Sequence, residues 1–174
     1  MTSTKAPSTN PADNRSTWTA ELACPEETAA LARALASIAT PGLCVLLEGP
    51  VGAGKSFFAR SAIQALMAQI GGIEDVPSPT FTLVQTYELG PLDVWHADLY
   101  RLTTPDELIE LGLELAFDTA LCLIEWPDRL GDLRPHGALD LVLTPDSLYP
   151  DQRRVQISGP ADIITRLIAA TENI

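Results

Sequence analysis

The chain has 174 residues, 46% hydrophobic and 20% charged, which is enough for one domain with a substantial core. Its net charge of −12, from 11 Lys plus Arg against 23 Asp plus Glu, argues against a protein that grips nucleic acid by its own field, and no basic patch offsets it. No apolar run approaches the ~20 residues of a membrane span, and the N-terminus lacks the basic-then-apolar layout of a secretory signal. A cytoplasmic protein without membrane attachment is therefore expected.

The opening MTSTKAPSTNPADNRST is polar and proline-containing. It predicts a disordered tail over residues 1–20, ahead of one folded domain over residues 21–174. Pro25-Glu26-Glu27 opens a helix, with acids in its first turn and Leu31, Leu35 and Ile38 at helical spacing. Thr40-Pro41-Gly42 stops it. Cys44 to Leu47 is a short buried-strand pattern, and Phe57 to Ile70 reads as a helix ended by Gly71-Gly72. Between them lies GPVGAGKS.

From Val76 to Leu102, two strand-like runs flank Gly90-Pro91, the pattern of an antiparallel hairpin. Thr104 and Glu107 form a capping box for a helix that ends near Gly112. Ala120 to Ile124 is another apolar strand, which delivers Glu125 before Trp126-Pro127 breaks the chain. Leu139 to Leu143 and Arg153 to Ile157 read as later strands, and Asp162 to Ala170 as a last helix. Strands alternating with helices predict an α/β fold. With GPVGAGKS in the spacing of a phosphate-binding loop, it reads as a P-loop NTPase-like sheet, mostly parallel with one antiparallel hairpin and flanked by helices. The cysteines Cys24, Cys44 and Cys122 have no metal spacing; an odd count without a signal fits a reducing compartment.

Gly49 to Ser56 reads G-x-x-x-x-G-K-S between a strand and a helix, the spacing of a phosphate-binding loop. Glycines let the backbone turn its N–H groups inward, and no side chain keeps the phosphates away. In this pattern Lys55 reaches the β- and γ-phosphates, Ser56 offers a hydroxyl to Mg²⁺, and the helix N-terminus faces the same anion. Such a site usually draws a metal-directed carboxylate from the end of a second buried strand, and Glu125 is placed for that, the alternative being an ordinary strand-end acid facing solvent.

His96 and Asp98 in VWHADLYR are two apart on a strand and share one face. Spacing leaves two readings open: a buried polar pair that needs partners, or a solvated hairpin face. Thr80 and Thr82 in SPTFT are likewise expected on one strand face, stiffened by Pro77 and Pro79. They suit either a γ-phosphate-sensing loop or plain β and turn chemistry. No Gly-x-Ser-x-Gly elbow, zinc signature, dinucleotide fingerprint or guanine-reading Asn-Lys-x-Asp stretch occurs, which favours adenine as the base.

GPVGAGKS, SPTFTLV, HADLYRL with the following TPDELIELGL, and LIEWPDRL stand in this order. Together they closely resemble the TsaE family, the bacterial P-loop ATPases of tRNA threonylcarbamoyladenosine synthesis, over roughly residues 22 to 157. The resemblance implies binding and hydrolysis of ATP with Mg²⁺, in support of a TsaB–TsaD complex. In that complex TsaD transfers the threonylcarbamoyl group to tRNA, and TsaE resets the machine between turnovers.

By motif, the resemblance carries phosphate binding to Gly52, Ala53, Gly54, Lys55, Ser56 and Phe57, and Mg²⁺ ligation to Ser56 and Glu125. It implies a catalytic set of Lys55, Thr80, Asp98 and Glu125, with Thr80 in a nucleotide-responsive segment and Asp98 beside the nucleotide. Trp126 matches the family's Glu-Trp pair, at the partner interface or shaping the site. The family's common Gly-Asp-Leu-Gly-Ala-Gly-Lys-Thr is here Gly-Pro-Val-Gly-Ala-Gly-Lys-Ser, so Pro50 removes a carboxylate and a backbone N–H. The acidic charge fits a protein that meets tRNA only through its partners. Two other readings use the same loop: a small-molecule kinase that closes Arg129, Arg134, Arg153 and Arg154 over the phosphate, and a nucleotide-gated binding module.

Overall fold

A computed structural model describes residues 4–10, 14–72, 75–102 and 105–172. Among the described residues eight strands form one sheet: β1 (Thr4–Asn10), β2 (Arg15–Leu22), β3 (Cys44–Glu48), β4 (Val84–Leu89), β5 (Leu92–Asp98), β6 (Leu121–Glu125), β7 (Leu139–Pro145) and β8 (Arg153–Pro160). Their spatial order is β1-β2-β8-β7-β3-β6-β5-β4. The centre, β7-β3-β6-β5, is parallel. The expected hairpin is the antiparallel pair β4–β5, closed at Gly90-Pro91 with Leu89 opposite Leu92. A second antiparallel flank, β7-β8-β2-β1, completes the other edge.

The central strands are buried on both faces, which explains their near-continuous apolar runs. Val45 and Leu47 of β3 and Leu121 and Leu123 of β6 join one apolar cluster. Helices α1 (Pro25–Ser37), α2 (Lys55–Gln69) and α5 (Ala161–Thr171) cover that face. Cys44 and Leu46 of β3 and Cys122 and Ile124 of β6 point the other way. Helices α3 (Pro105–Glu110) and α4 (Leu113–Ala116), with a 3₁₀ segment at Pro127–Leu133, close that second layer. Among the described residues no helix is long and apolar enough to cross a membrane. The capping residue expected at Thr104 lies outside the described residues.

Two expectations need correction. The tail predicted over residues 1–20 instead supplies β1 and β2. Trp18, Ala20 and Leu22 alternate inward from β2 and are essentially buried, so this strand belongs to the core despite its polar composition. The full eight-residue register of β2 against β8, from Arg15–Pro160 to Leu22–Arg153, adds backbone hydrogen bonds to that burial. The second correction concerns Thr80 and Thr82, which do not share a strand face. Pro79 to Leu83 is a tight turn closed by Leu83 N–H donating to the Pro79 carbonyl at 2.7 Å, with Leu83 at φ 66°. The prolines stiffen a turn there, not a strand.

Candidate functional site

Strand order brings the polar groups together. In β5 and β6, Asp98 lies opposite Glu125, and Glu125 lies opposite Leu47 of β3. The period of two puts His96, Asp98 and Glu125 on the same face as Val94 and Leu123, the face covered by α2. That helix begins at Lys55, at the C-terminal end of β3, where ligands bind in open α/β sheets. The sequence therefore builds one corner from a loop, two strand ends and a helix start.

The loop has the backbone a phosphate cradle needs. Gly52 and Gly54 sit at φ 79° and 106°, and an added side chain would meet open space at both. Their requirement is conformational and not steric. Gly49 differs: at φ 140° a Cβ would come within 2.4 Å of the Leu143 carbonyl oxygen. It fits the loop against β7. The first N–H groups of α2 have no partner within their own helix and face this corner.

Ser56 donates its hydroxyl proton to Glu125 Oε2 at 2.8 Å, and the other carboxylate oxygen of Glu125 meets His96 Nε2 at 2.9 Å. His96 and Glu125 are both buried, and so is Asp98. The solvated-face reading of His96 and Asp98 is thereby ruled out. Asp98 Oδ2 accepts from the Thr80 hydroxyl at 3.0 Å, and Asp98 Oδ1 accepts from the Tyr100 N–H at 3.1 Å. Ser78 extends this chain, 2.9 Å from the Thr80 hydroxyl. Thr82 stays outside it.

Lys55 Nζ donates to the Gly49 and Pro50 carbonyls at 2.7 and 3.0 Å and lies 3.9 Å from the centroid of the Trp126 ring. Burial pushes its ammonium below the ordinary lysine range, while the charges of Glu125 and Asp98 pull it back up. Trp126 holds this position from a left-handed backbone at φ 60°, and its ring packs against Tyr100 with centroids 4.9 Å apart. Neither the Lys55–Trp126 stacking nor the Tyr100 contact was legible in the sequence. The Glu-Trp dipeptide was the only hint.

These groups line one cavity of about 330 Å³: Val51, Gly52, Lys55, Ser56, Thr80, Asp98, Tyr100, Glu125 and Trp126. A larger cavity of about 610 Å³ opens elsewhere, beside Arg15, Arg134 and His136, and holds none of the predicted phosphate, metal or catalytic residues, only Arg134 of the kinase reading. The chemistry selects the smaller one. Of the six predicted phosphate-binding positions, Gly52, Lys55 and Ser56 line it, and Gly54 caps α2 beside it. Ala53 is buried in the loop, and the Phe57 side chain lines a separate hollow with Arg60 and Gln64.

Fold and corner together define a P-loop NTPase-like α/β protein. The sequence model of the family described as "Threonylcarbamoyl adenosine biosynthesis protein TsaE" matches residues 22–155. The chain belongs to the TsaE family. It is 40% identical over 130 residues to a tRNA threonylcarbamoyladenosine biosynthesis protein TsaE of Rickettsia bellii, covering 75% of this chain and 86% of that protein. Its identity to the protein of that name in Bacillus subtilis is 38% over 120 residues, covering 68% and 72% of the two chains. The crystal structure of Bacillus subtilis YdiB superposes with a TM-score of 0.69 at 27% identity, covering 90% of this chain and 95% of that one.

Proposed function

We propose that this protein binds and hydrolyses ATP with Mg²⁺ to support TsaB and TsaD in forming threonylcarbamoyladenosine in tRNA. The observation that carries this reading is the Ser56–Glu125 contact at the foot of the phosphate loop, with Lys55 beside it. A hydroxyl and a carboxylate 2.8 Å apart are hard oxygen donors, the ligand set that Mg²⁺ takes alongside phosphate and water. Mg²⁺, when bound there, neutralises phosphate charge. The loop N–H groups and Lys55 orient the polyphosphate, and Asp98, fixed by Thr80 and the Tyr100 amide, is the acid available to order water beside it.

The arginines bear on the kinase alternative. Arg134 is bound to Glu48 and Asp140, Arg153 to loop carbonyls, and Arg154 to Glu21, while Arg129 rests 3.8 Å from Asp128. None of the four lines the cavity with Lys55. Among the described residues no arginine lines this cavity, which suits a hydrolase completed by a partner. The test is phosphate release from Mg-ATP with no acceptor, measured alone and with TsaB–TsaD. Slow release that rises with partner concentration supports the reading. Release that requires a small-molecule acceptor would replace it with the kinase.

A further inference from the structure

Arg153 opens β8, roughly a hundred residues after the phosphate loop, yet its side chain lies against that loop. Its Nε donates to the Ala53 carbonyl at 2.8 Å, and one terminal nitrogen reaches the Gly52 carbonyl at 3.5 Å. The other terminal nitrogen donates to the Pro150 and Gln152 carbonyls at 2.5 and 2.8 Å. The guanidinium thus stitches the β7–β8 connection to the loop through carbonyl oxygens alone.

Four of the arginines are paired with carboxylates, and Arg153 is among those that are not. Arg15, Arg129, Arg134 and Arg154 each lie within 4.0 Å of a carboxylate. Among the described residues Arg153 has no such contact, in a protein with a net charge of −12. An unneutralised cation is thereby held on the outer wall of the phosphate loop.

We infer that Arg153 is a positioning residue that fixes the phosphate loop in its anion-accepting shape and lends it positive charge. The peptide group is planar and trans, so its C=O and N–H point in opposite directions. Holding the Ala53 carbonyl outward on Nε turns the Gly54 N–H to the opposite side, into the loop. Gly54 stands at φ 106°, a conformation that glycine adopts but does not enforce. The Ala53 N–H, which closes a turn onto the Pro50 carbonyl at 3.1 Å, belongs to the neighbouring Gly52–Ala53 peptide, whose carbonyl a terminal nitrogen of Arg153 reaches at 3.5 Å. A guanidinium on the carbonyl also polarises the peptide and strengthens its N–H as a donor to an anion. The antiparallel flank β7-β8-β2 gives this cation a rigid base, since Arg153 pairs with Pro145 on one side and Leu22 on the other.

The inference rests on the nucleotide-binding reading, and two measurements separate the two. Wild type, Arg153→Met, Arg153→Lys and Lys55→Ala are compared for ADP and AMP affinity by calorimetry, and for ligand-free amide hydrogen exchange over residues 50–57. A loop that cradles the β-phosphate and loses its clamp should bind ADP about tenfold more weakly in Arg153→Met, the loss expected for one charge-assisted hydrogen bond. AMP affinity should stay unchanged, exchange at Ala53 should accelerate, and Arg153→Lys should fall between. Equal losses for ADP and AMP, or wild-type exchange in Arg153→Met, would overturn the clamp. Should wild type bind no ADP, the nucleotide reading fails, and the exchange rates alone still decide whether Arg153 holds the loop. Should Arg153→Met not fold, Arg153→Lys decides: it keeps the charge without the fork, and wild-type affinity with wild-type exchange would overturn the inference.

Discussion

The Ser56 hydroxyl and Glu125 Oε2 lie 2.8 Å apart, joining the first turn of α2 to the end of β6 across the mouth of the phosphate loop. Two metal-suited oxygens are thus set in place by two rigid elements, and His96 on the far carboxylate oxygen fixes the rotation of Glu125. The prediction concerns charge. Glu125→Gln keeps the shape and removes the anion that a hard cation prefers. ATP affinity with Mg²⁺ should fall at least tenfold more than affinity in a chelator. Equal losses under both conditions, read by calorimetry, would remove Glu125 from the metal site.

Lys55 is buried but bonded only to loop carbonyls and stacked on Trp126, so its loss opens no apolar cavity. Lys55→Ala should therefore abolish ATP turnover with little change in melting temperature. A thermal melt beside a phosphate-release assay checks both halves.

The same lysine sets an alkaline limit to binding. Burial lowers its pKa from the ordinary 10.5, and a bound phosphate raises it again. Binding then takes up a proton, so ADP affinity is flat while Lys55 is charged and falls as pH rises through its depressed pKa. Lys55→Arg does not titrate in this range and should lack the fall. Parallel pH profiles for the two proteins would contradict the assignment.

The site was legible where spacing implies geometry. A strand, a G-x-x-x-x-G-K-S loop and a helix fix one another, and Glu125 stood out as an acid closing an apolar strand. Asp98 and His96 were visible as a pair, but only strand order turned them toward α2. That order depends on contacts between segments far apart in the chain, which periodicity does not encode. Arg153 stood only among the four arginines of the kinase reading, because nothing local distinguishes a loop-bracing arginine from a solvated one. Strand β2 was hidden differently: Ser16, Thr17 and Thr19 around Trp18 lower its mean hydropathy, although the inward positions alternate cleanly. Composition outweighed period there, and period was the better guide.

That strand gives a stability prediction. Trp18 is among the largest fully buried side chains, within the cluster shared with α1 and α5. Trp18→Ala should cost about 3–5 kcal/mol, the range for deleting a large buried aromatic. Chemical denaturation measures it. A loss below ~1 kcal/mol, typical of surface positions, would return this segment to a dispensable tail.

The last prediction concerns coupling between nucleotide and partner. Asp98 accepts from both the Thr80 hydroxyl and the Tyr100 amide, so it ties the SPTFT turn to the end of β5 within the cavity that holds Lys55. Phe81 is 86% exposed and Tyr100 51% exposed, on the two segments that this carboxylate joins. A change sensed by Asp98 can therefore reach solvent-facing aromatic residues through one hydrogen bond on each side. Asp98→Asn keeps the volume but loses the charge proposed to orient water, and should remove most of the TsaB–TsaD-stimulated ATPase rate. Thr80→Ala removes only the link to the turn. It should leave ADP affinity within about threefold, under 1 kcal/mol, while lowering partner stimulation at least tenfold. ATPase rate against partner concentration for wild type and both variants distinguishes the roles. Full stimulation in Thr80→Ala would show that the turn is not the element through which the partner acts, and a fast rate without partner would show that the site is complete alone.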